Sequence, residues 1–263
     1  MTKRDSGNIG ETLAVTEGAT RIQLCGRLVA RLDGRRVEDA LPGRQGRLLF
    51  AYLVAHRHQP SPRGTLMEAL WPNGAPSAAD NALNALLAKL RAALGNDALP
   101  GKHDVRLVLP ADAWVDLEAA SEALHRAEAA VAREDWVSAW GPSRVASYIA
   151  LRTLLPGFEA PWLDDLRRNL HDVLLRAHEC IAAAGLALGG AELASAARSA
   201  RSLVKLAPFR ETGHCLLMQV LAAQGNVAEA LLTYENLRTL LRDELGVAPG
   251  LMTQALHKRL LRQ

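Results

Sequence analysis

The chain changes its apolar period once, near Asp116, and that switch limits the folds open to it. Ahead of Asp116 stand short β-like runs and three segments of helical spacing. Behind it every apolar run keeps the helical period and no convincing strand appears. The pattern predicts a small mixed α+β body followed by a longer all-helical one. At 263 residues, 49% of them hydrophobic, the chain has apolar material for two cores. Residues 1–20 are polar, rich in Gly, Thr and Glu and without periodicity, and read as a disordered tail. The expected division is tail 1–20, first domain 21–116 and second domain 117–263.

The first body opens with three β-like runs, Arg21–Leu24, Leu28–Leu32 and Arg35–Glu38, parted by Gly26 and by the hairpin dipeptide Asp33-Gly34. A helix is expected over Arg44–Arg57, where Leu48, Leu49, Tyr52 and Leu53 share one face. Ser61-Pro62 has the form of an N-cap with proline at N1, opening a short helix to Trp71 that Pro72 and Gly74 end. Ser77 and Asp80 have capping-box spacing for a third helix, which runs to Leu94 and stops at Gly95. Asp97–Leu99, Pro100-Gly101 and Val105–Leu109 then read as a second hairpin. Sheet, three helices, hairpin is the order of a winged helix.

Beyond Asp116, helices are expected near Leu117–Leu124, Trp136–Leu151, Trp162–Leu188, Leu193–Leu206, Glu211–Ala223, Ala228–Leu245 and Leu251–Leu261. Breaks are expected at Gly141-Pro142, Pro156-Gly157, Gly189-Gly190, Pro208, Gly225-Asn226 and Pro249-Gly250. Ala196 and Ala230 lie 34 residues apart, each in a helix that follows a glycine turn. That is the period of TPR helix pairs, in which alanine lets neighbouring helices approach. The fold class is thus mainly α: an N-terminal α+β winged helix followed by an all-α TPR-like helical domain.

Charge and chemistry-bearing residues narrow the function. Residues 1–116 carry 15 Lys+Arg against 12 Asp+Glu, whereas 117–263 carry 16 of each, so the whole excess of +3 lies in the first part. Within Arg44–Arg106 there are eight basic residues against four acidic, a modest phosphate-binding footprint. No apolar run reaches the ~18 residues of a membrane span, and no apolar stretch follows Lys3-Arg4 as in a secretory signal. Cys25, Cys180 and Cys215 are dispersed and read as structural thiols of a reducing cytoplasm. No phosphate loop, dinucleotide turn, zincin or nucleophile-elbow motif occurs. His171 and His178 lack companions for a metal site and read as surface or packing residues. No enzyme activity, metal or cofactor is expected.

Pro208-Phe-Arg-Glu211, Leu216-Leu-Met218, Gly225-Asn226, Glu229-Ala-Leu231, Tyr234, Leu237-Arg238 and Leu245-Gly-Val-Ala-Pro249 resemble the bacterial transcriptional activation domain, as do Leu155-Pro-Gly157 and Trp162. Leu41-Pro-Gly43, Leu70-Trp71, Asn81, Leu90-Arg91, Leu94-Gly95 and Trp114-Val-Asp116 resemble the winged helix that precedes it. The pair is the architecture of the Streptomyces antibiotic regulatory proteins. The resemblance runs from about Arg21 to the C-terminus. It implies an OmpR-type winged helix on direct-repeat, double-stranded DNA near a promoter, a second copy bound alongside, recruitment of RNA polymerase holoenzyme, and a cytoplasmic, nucleoid-associated location. By resemblance only, the loop holding Pro72, Asn73 and Gly74 faces the polymerase; a plain helix connection is the other reading. A short wing and an unusually apolar third helix depart from the family pattern.

In a winged helix the third helix reads base edges in the major groove. On a helical wheel Leu83, Leu86, Leu87, Leu90 and Leu94 form its core face. Asn81, Asn84, Ala85, Ala88, Lys89 and Ala92 form the opposite, base-contacting side, with Arg91 at the edge. The Asn84 amide is suited to adenine in two places, or else is solvated. Lys89 reaches guanine or a phosphate, and the alanines touch thymine methyls or simply allow close approach. Phosphate contacts are expected from Arg44, Arg47, Arg63, Arg91, Lys102, His103 and Arg106. One good bidentate contact discriminates by ~1–3 kcal/mol, which favours tandem copies with half-sites ~10–10.5 bp apart. The competing reading is a TPR-like interaction scaffold whose winged helix no longer binds DNA.

Overall fold

In the computed structural model, which describes residues 19–262, β1 (Arg21–Gln23) pairs antiparallel with β2 (Val29–Leu32), and β2 with β3 (Arg35–Arg36). Asp33 and Gly34 turn between β2 and β3 with φ of 47° and 80°, the backbone such a two-residue loop needs. Residues 1–18 of the expected tail lie outside the described residues. Thr20, assigned with that tail, belongs to the sheet: it is buried, its carbonyl accepts from the Trp114 amide at 3.0 Å, and its hydroxyl accepts from the Asp33 amide at 3.3 Å.

Three helices follow: α1 (Gly43–Ala55), α2 (Arg63–Leu70) and α3 (Ala79–Leu94). Each packs on the other two, around Leu49, Phe50, Leu53, Leu66, Leu83 and Leu87. The two-residue strand β4 (Ser61–Pro62) precedes α2, β5 (Asp104–Val105) follows α3, and β6 (Trp114–Val115) adds to the main sheet parallel to β1, giving the order β3-β2-β1-β6. Buried Glu38 ties the sheet together, accepting from the Ala30 amide at 3.2 Å and from Arg36 Nε at 2.6 Å. Burial pushes its carboxyl up, but these bonds and its own backbone amide outweigh that and hold it below the ordinary carboxylate value.

Four local expectations change. Ser61 is not an N-cap: it pairs with Val105 in β4, and its hydroxyl bonds Tyr52. The box of Ser77 and Asp80 does not close. Helix α3 starts at Ala79 with Ala78 in the cap position and no side-chain cap bond. The wing folds back where expected, with Val108 donating to Ala98 at 2.9 Å, yet its ladder partner is β4 rather than Asp97–Leu99. Strand β6 was not foreseen, because two residues carry no period.

The contacts divide the chain into two compact units between Val115 and Asp116. The described residues of the second form seven helices: α4 (Asp116–Ala132), α5 (Trp136–Ala150), α6 (Pro161–Leu188), α7 (Glu192–Leu206), α8 (Glu211–Ala223), α9 (Val227–Leu245) and α10 (Leu251–Leu260). Each helix packs on the next, and α4, α6 and α8 also touch in succession, as stacked helix pairs do. Ala196 and Ala230 are fully buried. Gly185 on α6 lets α7 approach, since a Cβ there would stand 3.0 Å from the Ala196 Cβ and 3.1 Å from the Glu192 carbonyl oxygen.

Gly141-Pro142 does not break the chain but lies within α5. An internal proline costs a helix ~3 kcal/mol. Here Ala139, Ser143, Ala146 and Ser147 bury one face of α5 across the dipeptide, and that burial outweighs the cost.

Arg176 bridges α6 to α4 with two 2.7 Å bonds to the Glu128 carboxylate. Glu211, at the start of α8, accepts from the Gly250 amide at 3.0 Å and from the Thr253 hydroxyl at 2.5 Å, so it caps α10.

Candidate nucleic-acid interface

Helix α3 sorts its residues by face. Leu83, Leu87, Leu90 and Leu94 are buried, joined by Ala93, while Leu86 is only half-buried at the boundary. Asn81, Asn84, Ala85, Ala88, Lys89 and Ala92 are all exposed on the far side. Five of the six are alanine or asparagine, so apart from Lys89 no side chain there is longer than a single amide and another backbone can approach closely along this face. Lys89 supplies the only formal charge among the six.

Basic residues surround this face unevenly. Arg44 and Arg47 are exposed on the first turns of α1, and Lys102, His103 and Arg106 on the wing. Arg91 has a different occupation from the others. Its Nε donates to the Leu99 carbonyl at 3.0 Å and its Nη2 to the Gly101 carbonyl at 2.7 Å, so it fastens the wing turn to α3. Gly101 makes that turn possible: its φ is 96°, and a Cβ there would lie 1.9 Å from the Asp104 carbonyl oxygen.

Arg63 is likewise turned inward, toward α3. Its backbone amide donates to the His103 carbonyl at 3.2 Å, and its Nη1 to the Lys102 carbonyl at 3.4 Å. Its Nη2 donates to Asn84 Oδ1 at 2.9 Å and stands 3.6 Å from Asp80 Oδ1. Asp80, expected in a capping box, makes no cap bond and instead faces Arg63. Its i, i+4 relation to Asn84 places both on one helical face, the signal that sequence reading passed over. Arg35 also reaches α3, donating from Nη2 to the Ala93 carbonyl at 2.9 Å. Pro72, Asn73 and Gly74 lie exposed between α2 and α3, with Gly74 N–H donating to Trp71 at 3.2 Å.

The structure thus brings the six α3 residues onto one surface and sets Arg63 beside Asn84. Among the described residues no group of three His, Cys, Asp or Glu is placed to hold a metal ion, and no helix is long and apolar enough to cross a membrane. Cys25 and Cys180 are buried and Cys215 half-buried.

Residues 115–261, more than half the chain, match the bacterial transcriptional activator domain. The chain belongs to that family. It is 32% identical to the regulatory protein AfsR of Streptomyces coelicolor over 93% of its own length and 24% of AfsR. To the transcriptional regulatory protein EmbR of Mycobacterium tuberculosis it is 29% identical over 95% of its length and 65% of EmbR. To MoaR1 of the same species it is 25% identical, covering 95% of this chain and 82% of MoaR1. The chain therefore spans about a quarter of AfsR and just under two thirds of EmbR. The solved structure of EmbR in complex with a low affinity phosphopeptide shares the fold, with a TM-score of 0.79 at 23% identity over 93% of this chain and 65% of that one. This activator-domain protein is therefore mostly helical with a small N-terminal sheet, as its apolar period predicts.

Proposed function

We propose that this activator-domain protein is a sequence-specific DNA-binding transcriptional regulator that acts as an activator in the cytoplasm, at the nucleoid, and catalyses no reaction. The observation that carries the reading is the exposed face of α3, with basic residues on α1 and on the wing around it, in a chain whose relatives are named transcriptional regulators. Residues 21–116 serve as the DNA-binding module and 117–263 as the activation module. Asn84 and Lys89 supply base or phosphate contacts while Asn81, Ala85, Ala88 and Ala92 line the groove. Arg44, Arg47, Lys102, His103 and Arg106 contact phosphates. Arg91 acts through the wing it holds.

Few long polar side chains project from α3, so one copy reads little sequence. Two copies on direct repeats add their half-sites, and the loop at Pro72, Asn73 and Gly74 is the side offered to RNA polymerase holoenzyme. Gel shifts of the full chain over a salt series test the reading. Affinity falls steeply as salt rises, and Lys89→Ala lowers the salt slope by about one where Lys89 meets a phosphate. Absence of binding even at low salt returns the chain to the TPR-like scaffold reading. A footprint on an isolated half-site at full affinity sinks the tandem arrangement.

A further inference from the structure

We propose that Arg63 is a positioning residue that sets which hydrogen-bonding group Asn84 shows to a base, making that position of α3 a donor selective for guanine. The inference rests on the proposed entry of α3 into the major groove. A guanidinium has donors only, so the amide atom facing Arg63 must be the Asn84 oxygen. Nη2 of Arg63 lies 2.9 Å from that oxygen, on a side chain that is 21% exposed and held from behind by Asp80 and by the Lys102 carbonyl. The amide is thereby prevented from flipping, and Nδ2, with both its hydrogens, points away from Arg63 on an exposed residue.

Base edges in the major groove differ in what they offer such a donor. Guanine shows two acceptors, N7 and O6; thymine shows O4; adenine pairs its N7 with a competing amino donor; cytosine shows an amino donor alone. An asparagine able to rotate prefers adenine, for which it needs oxygen and nitrogen together. With its oxygen engaged by Arg63, Asn84 prefers guanine. Arg63, though basic and close to the groove face, is then committed to three protein acceptors and leaves phosphate neutralisation to other residues.

Selection of sites from a pool of randomised duplexes by the full-length chain tests this. The wild type selects guanine at one position per half-site, and Asn84→Ala flattens that position alone, a change of about tenfold. Arg63→Ala shifts the same position toward adenine with an unchanged salt slope, and Arg63→Lys, still a pure donor, retains guanine. Asn84→Asp is isosteric and keeps its acceptor toward Arg63, but its outward atom now accepts, so the preference moves to cytosine. This variant serves where Arg63→Ala fails to fold. A uniform loss of affinity in Arg63→Ala for all four bases, with the salt slope lowered by about one, makes Arg63 a phosphate contact and overturns the proposal. An Asn84→Ala profile identical to wild type also overturns it while leaving DNA binding intact. No binding by the wild type overturns the functional reading itself.

Discussion

Single side chains in the first unit act as fasteners more than as free charges. Arg91 is the clearest, spending its Nε and Nη2 on the carbonyls of Leu99 and Gly101. Arg91→Ala is expected to lower the stability of the first unit by about 1 kcal/mol, below the ~1.5–3 kcal/mol of a hydrogen bond from a charged group because the residue is partly exposed. Urea titration of wild type and variant checks it; an unchanged midpoint contradicts the fastening role. The exposure of Asn81, Asn84, Ala85, Ala88, Lys89 and Ala92 was legible in the sequence, because helical period alone decides which way they face. The partners of Arg63 and Arg91 were not legible. Asn84 is 21 positions from Arg63, and only the folded wing brings Lys102 and Gly101 to these guanidiniums.

At the scale of the element, two glycines inside helices have opposite meanings. A Cβ at Gly141 would meet nothing within 4 Å beyond its chain neighbours, whereas one at Gly185 would meet Ala196, the Glu192 carbonyl and the Trp140 ring at 3.0–3.1 Å. Gly141→Ala is therefore expected to change stability by less than about 1 kcal/mol, because the gain in helix propensity is opposed by crowding of the new Cβ against the ring of Pro142. Gly185→Ala should lose about 1–3 kcal/mol, because neither a backbone oxygen nor a buried alanine yields easily. Thermal melts of the two variants, with Gly185→Ala falling and Gly141→Ala staying near wild type, check both. Sequence reading placed the helices of the second unit well, since each keeps one apolar period over several turns. It failed at Gly141-Pro142, where local chemistry signals a stop but burial on one face of α5 prevails. It failed also at β4 and β6, which exist only through pairing with distant strands.

For the whole molecule, acid sensitivity follows from two imidazoles of the second unit. Burial holds His178 and His214 below the ordinary value of 6.5; for His214 the Pro208 carbonyl, 2.9 Å from Nε2, and then Glu211 oppose that shift without cancelling it. The unfolded chain takes up protons at the ordinary value while the folded one resists until lower pH. Stability from this source is thus complete above pH 6.5 and is lost as pH falls through the depressed folded values. Denaturant melts of the full chain between about pH 8 and about pH 5 should show the decline, and His178→Leu should flatten part of it.

Arrays of stacked helices usually peel from their ends, one unit at a time, since each unit holds only its neighbours. Here α10 is tethered two helices back, through Glu211 at the head of α8 to Gly250 and Thr253 at the head of α10. Helix α9 lies between the two in the chain and packs on both. Helices α8, α9 and α10 are therefore expected to open together, as one cooperative block within an otherwise linear array.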